Sequence, residues 1–306
     1  MIRRLLIVVL CSFAVYGCNK GNPVAPTPPS GNGNLFYFTI TEAGMPFLRS
    51  GEQYILWLKT LRDTTWQKIT ELGTMKIVNG LVVIVGKFNY PTSLDSITNA
   101  LVTIQPPNIS NSTLNFPVLE GHNFLYDSAH KLTNSLFISK NTLGDFSALQ
   151  GGLVFTSTKP DSLAYTHEFY LMNFMDSIPK PSLTSLPAPP VGWKYGLWAQ
   201  DSNFTPHEFF LYGLFSSAQG RDSDSANAYY PFPGGWKPQQ MNFGSGSIIV
   251  TLEPQFYGDS LKYKGPSPFT LLSFNRIRFI NENENYPMTN ISASAIPTGS
   301  IEFQQY

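Results

Sequence analysis

Short runs of alternating apolar and polar residues dominate this chain. In Tyr54 to Leu58, Tyr54, Leu56 and Leu58 fall on one face, and Ile55 and Trp57 on the other. Leu35 to Thr41 is a β run, and Leu81 to Val85 is a continuous apolar run of the kind buried on both faces. Further strand signals cover 101–104, 134–139, 152–156, 168–174, 209–215, 247–252, 270–274, 276–280 and 299–303. Turn residues separate them at Pro91, Pro106-Pro107, Gly151, Pro179, Pro233-Gly234-Gly235 and Pro287. No convincing amphipathic helix is present; Thr60 to Gly73 is the best candidate, but Thr64-Thr65 lowers its propensity. Many short strands at regular spacing predict an all-β chain built as sandwiches or barrels.

The pattern occurs twice. Tyr54-Ile55-Leu56-Trp57 returns as Tyr195-Gly196-Leu197-Trp198, each after a glycine (Gly51, Gly192). Leu72-Gly73 and Tyr212-Gly213 follow in the same order, and then Val102-Thr103-Ile104-Gln105-Pro106 and Val250-Thr251-Leu252-Glu253-Pro254. Three landmarks in one order indicate an internal repeat. The strand Glu168 to Phe174 resembles Leu35 to Thr41, and Gly151 to Phe155 resembles Thr298 to Phe303. These matches predict two antiparallel β-sandwich units, 35–162 and 163–306, meeting near Lys159-Pro160-Asp161. A rival boundary is the proline-rich stretch 178–190. The second unit carries a longer excursion between Phe215 and Gly246.

Composition narrows the classes. Charged residues are 13% and aromatic residues 14%, with 24 glycines and 24 prolines. Aromatic-rich, charge-poor chains suit cross-strand pairing in antiparallel sheets. Setting aside Arg3 and Arg4, the 20 basic residues fall to 18 against 20 acidic ones. Such a near-neutral balance argues against a nucleic-acid partner, which needs a basic face.

The N-terminus reads as an export signal. Arg3-Arg4 precede an apolar stretch from Leu5 to Val15, then Val15-Tyr16-Gly17-Cys18. This segment resembles a bacterial lipobox, with Tyr16 departing from the usual small residue. The resemblance implies a lipoprotein signal peptide over 1–17 and lipidation of Cys18. Residues 18–34 are rich in Asn, Gly, Pro and Ser, the composition of a flexible tether. The two cysteines are Cys11 and Cys18, so the folded part is expected to hold no disulfide and no thiolate nucleophile. A multiply acylated cysteine would hold the chain on a lipid bilayer. Asn19 after Cys18 favours the outer membrane over inner-membrane retention.

Leu186-Pro187-Ala188-Pro189-Pro190, Gly192, Tyr195, Leu197-Trp198, Tyr212-Gly213-Leu214-Phe215 and Val250 to Pro254 together resemble the extracytoplasmic C-terminal domain of anti-sigma-K factors. The resemblance covers much of the second unit and, more faintly, Ser50 to Pro107. It implies an immunoglobulin-like β-sandwich used for sensing or interaction. Anti-sigma factors join that domain to a transmembrane helix and a cytoplasmic sigma-binding segment, and neither is legible in this sequence. A lipid-anchored chain could not reach a cytoplasmic sigma factor.

No constellation for chemistry stands out. His167-Glu168 and His207-Glu208 each precede a phenylalanine-rich strand, but adjacent residues point to opposite faces and share a metal poorly. Asp222 to Asn227 lacks the glycine and distal glutamate of a calcium loop. Glu253 could pair with Glu120 or Asp145, yet the spacing gives that no support. No catalytic residue, metal or cofactor is therefore expected. The candidate binding residues are Tyr229, Tyr230, Phe232 and Trp236, in the aromatic excursion of the second unit. The competing reading folds those rings back onto the sheet, because aromatic area favours burial. Trp57 and Trp198 read as packing residues. The expected function is non-enzymatic binding or sensing in the cell envelope, with an envelope protein or glycan as partner. The alternative is a carbohydrate-binding lipoprotein of a glycan-uptake system.

Overall fold

Strands account for nearly all regular structure in the computed structural model. It describes residues 35–43, 48, 51–61, 64–72, 76–78, 81–89, 97–106, 116–122, 124–126, 131–136, 142–157, 167–175, 177–201, 208–221, 230–235, 246–255, 265–275 and 283–305. Its contacts divide the chain into Met1–Asn32, outside the described residues, and a compact unit Gly33–Tyr306. The strands of that unit run in chain order. β1 (Leu35–Ala43), β2 (Gln53–Thr60), β3 (Gln67–Glu71), β4 (Lys76–Val78), β5 (Leu81–Asn89), β6 (Ile97–Gln105) and β7 (Pro117–His122) come first. β8 (Leu125–Tyr126), β9 (Lys131–Leu136), β10 (Gly152–Ser157), β11 (His167–Tyr170), β12 (Met172–Met175), β13 (Ile178–Pro181) and β14 (Trp193–Asp201) follow. β15 (Glu208–Phe215), β16 (Gly234–Gly235), β17 (Ser247–Pro254), β18 (Thr270–Asn275), β19 (Asn285–Pro287), β20 (Thr289–Asn290), helix α1 (Ser292–Ala295) and β21 (Thr298–Gln305) complete it.

The strands form five sheets, ordered β4-β5-β1-β21-β9-β8, β3-β2-β6-β7, β16-β11-β10-β19, β12-β13 and β15-β14-β17-β18-β20. Each pairing is antiparallel. Period-two alternation sets the faces as expected. Tyr54, Leu56 and Leu58 of β2 enter the main core, while Ile55 and Trp57 join Leu101 in a satellite cluster on the other face. Half-buried Trp66 caps that cluster and carries the Lys59 ammonium 4.5 Å from its ring centroid.

Two local expectations change, and the weak helical candidate resolves as a strand. Thr60 to Gly73 contains a strand, β3, paired to β2. The β-branched Thr70 and Ile69 suit that state better than a helix. The run from Leu81 to Val85 is not buried on both faces. Val82, Ile84 and Phe88 are inside, while Val85 is 55% exposed and Lys87 is in solvent. An antiparallel sheet can leave one face open even where it is apolar. The strand signal over 168–174 breaks at Leu171 into β11 and β12. The signal over 276–280 lies outside the described residues.

The pairing of the closing strands crosses the midpoint of the chain. β21, the last strand of the second repeat, lies between β1 and β9 of the first. β10, the last strand of the first repeat, lies between β11 and β19 of the second. The two placements match in register. Phe303 faces Phe38, which faces Gly86 on its other side. Phe155 faces Phe169, which faces Gly235 on its other side. A Cβ on Gly86 would come within 2.4 Å of the Phe38 ring, so a side chain there would displace that ring. Packing agrees with pairing. Phe303 packs on Phe88 and Phe124, with ring centroids 6.1 and 5.5 Å away. Phe155 packs on Phe169, Phe274 and Tyr286 at 6.0, 6.1 and 5.5 Å. The segments 35–162 and 163–306 therefore each close on a strand supplied by the other.

The two connections that deliver these strands meet. The stretch 142–151 leads into β10, and α1 with Pro297 leads into β21. The Asn290 side chain joins them, with its amide donating to the carbonyls of Phe146 and Leu149, both at 2.8 Å. Its oxygen accepts from the Ser292 N–H and hydroxyl at 3.0 and 2.7 Å. All four hydrogen-bonding positions of this amide are thus used. Nearby, the Phe116 ring stands edge-on to Trp193 at 5.9 Å, joining side chains of the two repeats. The buried residues of both repeats accordingly form one continuous main core.

Reciprocal exchange makes a prediction about cleavage. A chain carrying a specific protease site over 159–161, cut after folding, should still elute as one particle in native size-exclusion chromatography. Separation into two folded halves without denaturant would contradict the exchange.

Candidate functional site

The aromatic excursion is held down at its end by main-chain pairing. Gly234 and Gly235 form β16, facing Tyr170 and Phe169 of β11. The Leu171 N–H donates to the Pro233 carbonyl at 2.9 Å. Gly234 has φ +126°, and a Cβ there would lie 2.2 Å from the Phe169 carbonyl oxygen. Only glycine fits that close approach. The sequence Pro233-Gly234-Gly235, which reads as a turn, thus serves as a short edge strand.

That anchoring places two of the four candidate binding residues. Phe232 is buried with Val154, Tyr170 and Met172 on the β10–β11 face away from the main core. Tyr230 is half-buried, edge-on to Tyr170 at 5.2 Å and to Phe174 at 6.1 Å. Pro231 between them is exposed. Tyr229 and Trp236 lie outside the described residues, as does Cys18. Beneath the loop, the buried Glu168 carboxylate accepts from the Tyr170 hydroxyl at 2.5 Å. Residues 168 and 170 share this face because strand side chains alternate.

Beside the loop stands the hairpin β12–β13. Met175 faces Ile178 across its tip, and Ser177 supplies the left-handed turn conformation at φ +66°. One hairpin face carries Phe174, packed on Tyr230. The opposite face carries Met175 and Ile178, exposed by 55% and 58%. Asn285 ties the hairpin down, its side chain accepting from the Phe174 N–H at 2.9 Å and donating to the Phe174 carbonyl at 3.2 Å. The hairpin therefore presents two adjacent apolar side chains on an anchored support.

A second concavity, of about 430 Å³, opens where the two crossing connections meet. Phe146 and Ile296 give it apolar walls, and Asp145 lies at its edge. The Asp145 carboxylate accepts from the Ser147 N–H and hydroxyl at 3.0 and 2.7 Å.

The two tryptophans of the repeat are structural. Trp57 Nε1 donates to Thr103 Oγ1 at 2.9 Å. Trp198 Nε1 donates to Thr251 Oγ1 at 3.1 Å and to Glu253 Oε1 at 3.0 Å. Both indoles are buried, so a partner for the ring N–H is required. The second copy adds a carboxylate where the first has Gln105. Glu253 is fully buried and accepts from Trp198, from the Thr251 hydroxyl at 2.6 Å and from the Ser267 N–H at 2.7 Å. Gly196, where the first copy has Ile55, leaves room for this arrangement. A Cβ there would lie 2.7 Å from Trp198 Nε1 and 2.8 Å from Glu253 Cγ. These contacts place the Glu253 carboxylate as the shared acceptor of a buried network. Sequence reading passed over this network, although the paired Thr-x-Gln and Thr-x-Glu were its signal.

The other polar candidates stay apart. His122 is exposed, His167 opens β11, and His130, His207 and 222–227 lie outside the described residues. Among the described residues, no group of three or more His, Cys, Asp or Glu is placed to hold a metal ion. Among them, too, no helix is long and apolar enough to cross a membrane. Trp193 Nε1 is buried without a hydrogen-bond partner, its ring held edge-on between Phe116 and Phe269. Such an orphan donor costs about 1–3 kcal/mol, which the aromatic packing must offset. The Tyr195 hydroxyl donates to the Pro187 carbonyl at 2.8 Å, and burial pushes its pKa well above the usual tyrosine range.

The chain matches no protein-family model, no curated protein and no solved structure.

Two stability predictions follow from these networks. Glu253→Ala removes the acceptor of the buried Ser267 N–H and one of the two acceptors of Trp198 Nε1, and should cost about 3 kcal/mol in urea unfolding. Glu253→Gln keeps an acceptor, as Gln105 does in the first repeat, and should cost about 1 kcal/mol. Equal losses would show that the carboxyl oxygen does not organise the site. For Tyr195, the raised folded-state pKa means its contribution is complete below the unfolded value. It is lost as pH climbs from about 10 towards the folded pKa. Stability should therefore fall more steeply above pH 10 in the wild type than in Tyr195→Phe. Identical alkaline slopes would contradict this assignment.

Proposed function

We propose that this chain is a lipid-anchored, non-enzymatic cell-envelope protein made of two β-sandwich units related to the extracytoplasmic domain of anti-sigma-K factors. In this reading Cys18 carries the lipid, 18–34 is the tether, and the β unit binds a partner outside the cytoplasm. The lipobox-like Val15-Tyr16-Gly17-Cys18 and the tether composition support the anchoring. The repeated Tyr-x-Leu-Trp strands support the sandwich relationship. Sensing by sigma-factor sequestration does not belong to this proposal.

One observation carries the binding role. The aromatic excursion is pinned by β16, and its rim leaves Tyr230 and Pro231 at the surface beside an anchored hairpin bearing Met175 and Ile178. Aromatic and aliphatic side chains held on a rigid support lose little entropy on binding and make good anchors. A protein of the same envelope fits that apolar rim. A glycan is the second reading, favoured by the half-buried Tyr230 ring, which could stack on a sugar face.

The test substitutes the rim and leaves the core. Tyr230→Ala combined with Met175→Ser and Ile178→Ser should abolish capture of a cross-linked partner from intact cells, with less than about 1 kcal/mol of lost stability. Unchanged capture would overturn the role of the rim. A glycan array run with the same pair of proteins separates the readings. Tyr230-dependent glycan binding supports the second, and silence across the array supports a protein partner.

A further inference from the structure

Neither repeat is closed by its own last strand. Each slot beside an opening strand is filled from elsewhere in sequence, and the two slots are filled in matching register. We propose that the slot between β1 and β9 is also a docking site for β21 of a second copy of this chain, so that two copies associate by exchanging their C-terminal strands.

The slot is specific for such a strand. β21 pairs with β1 on one side and β9 on the other, and Ile301 and Phe303 are fully buried. An occupant must be extended, with large apolar residues at alternate positions. The C-terminal strand of another copy satisfies both demands. Chain connectivity is not among the demands, because β10 already fills the equivalent slot after crossing from the other repeat.

The connection to β21 suits exchange. Helix α1 is a single turn, and its C-cap Ile296 is extended at φ −96°, ψ 116°, followed by Pro297. Ala293 and Ser294 are exposed. Swinging β21 outward breaks its pairing with β1 and β9 together with the Asn290 and Ser292 bonds to the 142–151 connection. Exchange between copies then rebuilds every β1–β21 and β9–β21 contact. The closed and exchanged forms differ mainly in the connection and in the entropy of association. Delivery of a strand within one chain corresponds to an effective concentration of roughly millimolar. Copies refolded near that concentration should therefore populate the exchanged form.

Cross-linking distinguishes the forms. Thr41 faces Ser300 in the β1–β21 register, and the chain from Asn19 onward contains no cysteine. The double variant Thr41→Cys/Ser300→Cys, made in that chain, is unfolded and refolded at about 1 µM and about 1 mM, then treated with a short bis-maleimide. The 1 mM sample should contain a covalent species of twice the chain mass, enriched at least about five-fold over the 1 µM sample. Peptide mapping should place its link between residue 41 of one copy and residue 300 of the other. Single-cysteine variants should not give that 41–300 link. Purely intrachain links at both concentrations would overturn the proposal, even if the chain dimerises, because association would then use another surface. Should the first pair prevent folding, Thr39→Cys/Glu302→Cys reports the same register.

Discussion

Strand exchange is the constraint on which the rest of this structure depends. β10 and β21 occupy interior positions in their sheets, each paired on both flanks. Removing either would open two rows of backbone donors and acceptors and uncover Phe155 or Phe303. The cost of an unpaired buried backbone group is large, so neither repeat can close without the other. The single continuous core follows from this. So does the Asn290 clamp, since two connections that must cross need a polar bridge where they meet. An asparagine suits that junction, because one short side chain can donate twice and accept twice.

Within this frame the two segments place different chemistry at matching strand positions. Both use a tryptophan, on β2 and on β14, to reach a threonine on the paired strand, β6 or β17. The first repeat fills the space beside its indole with Ile55. The second empties it with Gly196 and inserts the Glu253 carboxylate. These substitutions depend on one another, since a side chain at 196 would collide with both Trp198 and Glu253. That carboxylate accepts from the Ser267 N–H and so ties the sheet to the backbone at Ser267. The first repeat holds Gln105 buried at the same position.

Much of the fold was legible because it rests on local periodicity. The faces of β2, the repeated landmarks and the strand content all come from side-chain alternation, a property of neighbours in sequence. Partner choice was not legible. Gly151 to Phe155 and Thr298 to Phe303 look alike, and likeness alone cannot say which sheet each completes. That information lies in the connections, where Asn290 and Ser292 give no pattern. The Gly234-Gly235 strand was hidden for a different reason. Gly234 answers a close backbone approach from Phe169 and Tyr170, a tertiary demand that composition presents as a turn. The run over 81–85 misled because apolar content does not reveal whether the outer face of an antiparallel sheet is covered.

The excursion of the second repeat shows how a binding surface can arise from a packing need. The face of β10 and β11 opposite the main core bears Val154 and Tyr170, which cluster with Met172 and Phe232 apart from the main core. Phe232 covers them and, with the Gly234-Gly235 pairing, fixes the course of the loop. Burial and display are therefore not rivals along this segment. The ring at 232 is consumed by the core cluster so that the residues at 230 and 231 can be held at a defined rim. A functional reading of the four aromatic positions as one patch conflates these tasks. The structure separates them residue by residue, and it adds Met175 and Ile178, which sequence reading passed over because a two-residue hairpin exposes them together.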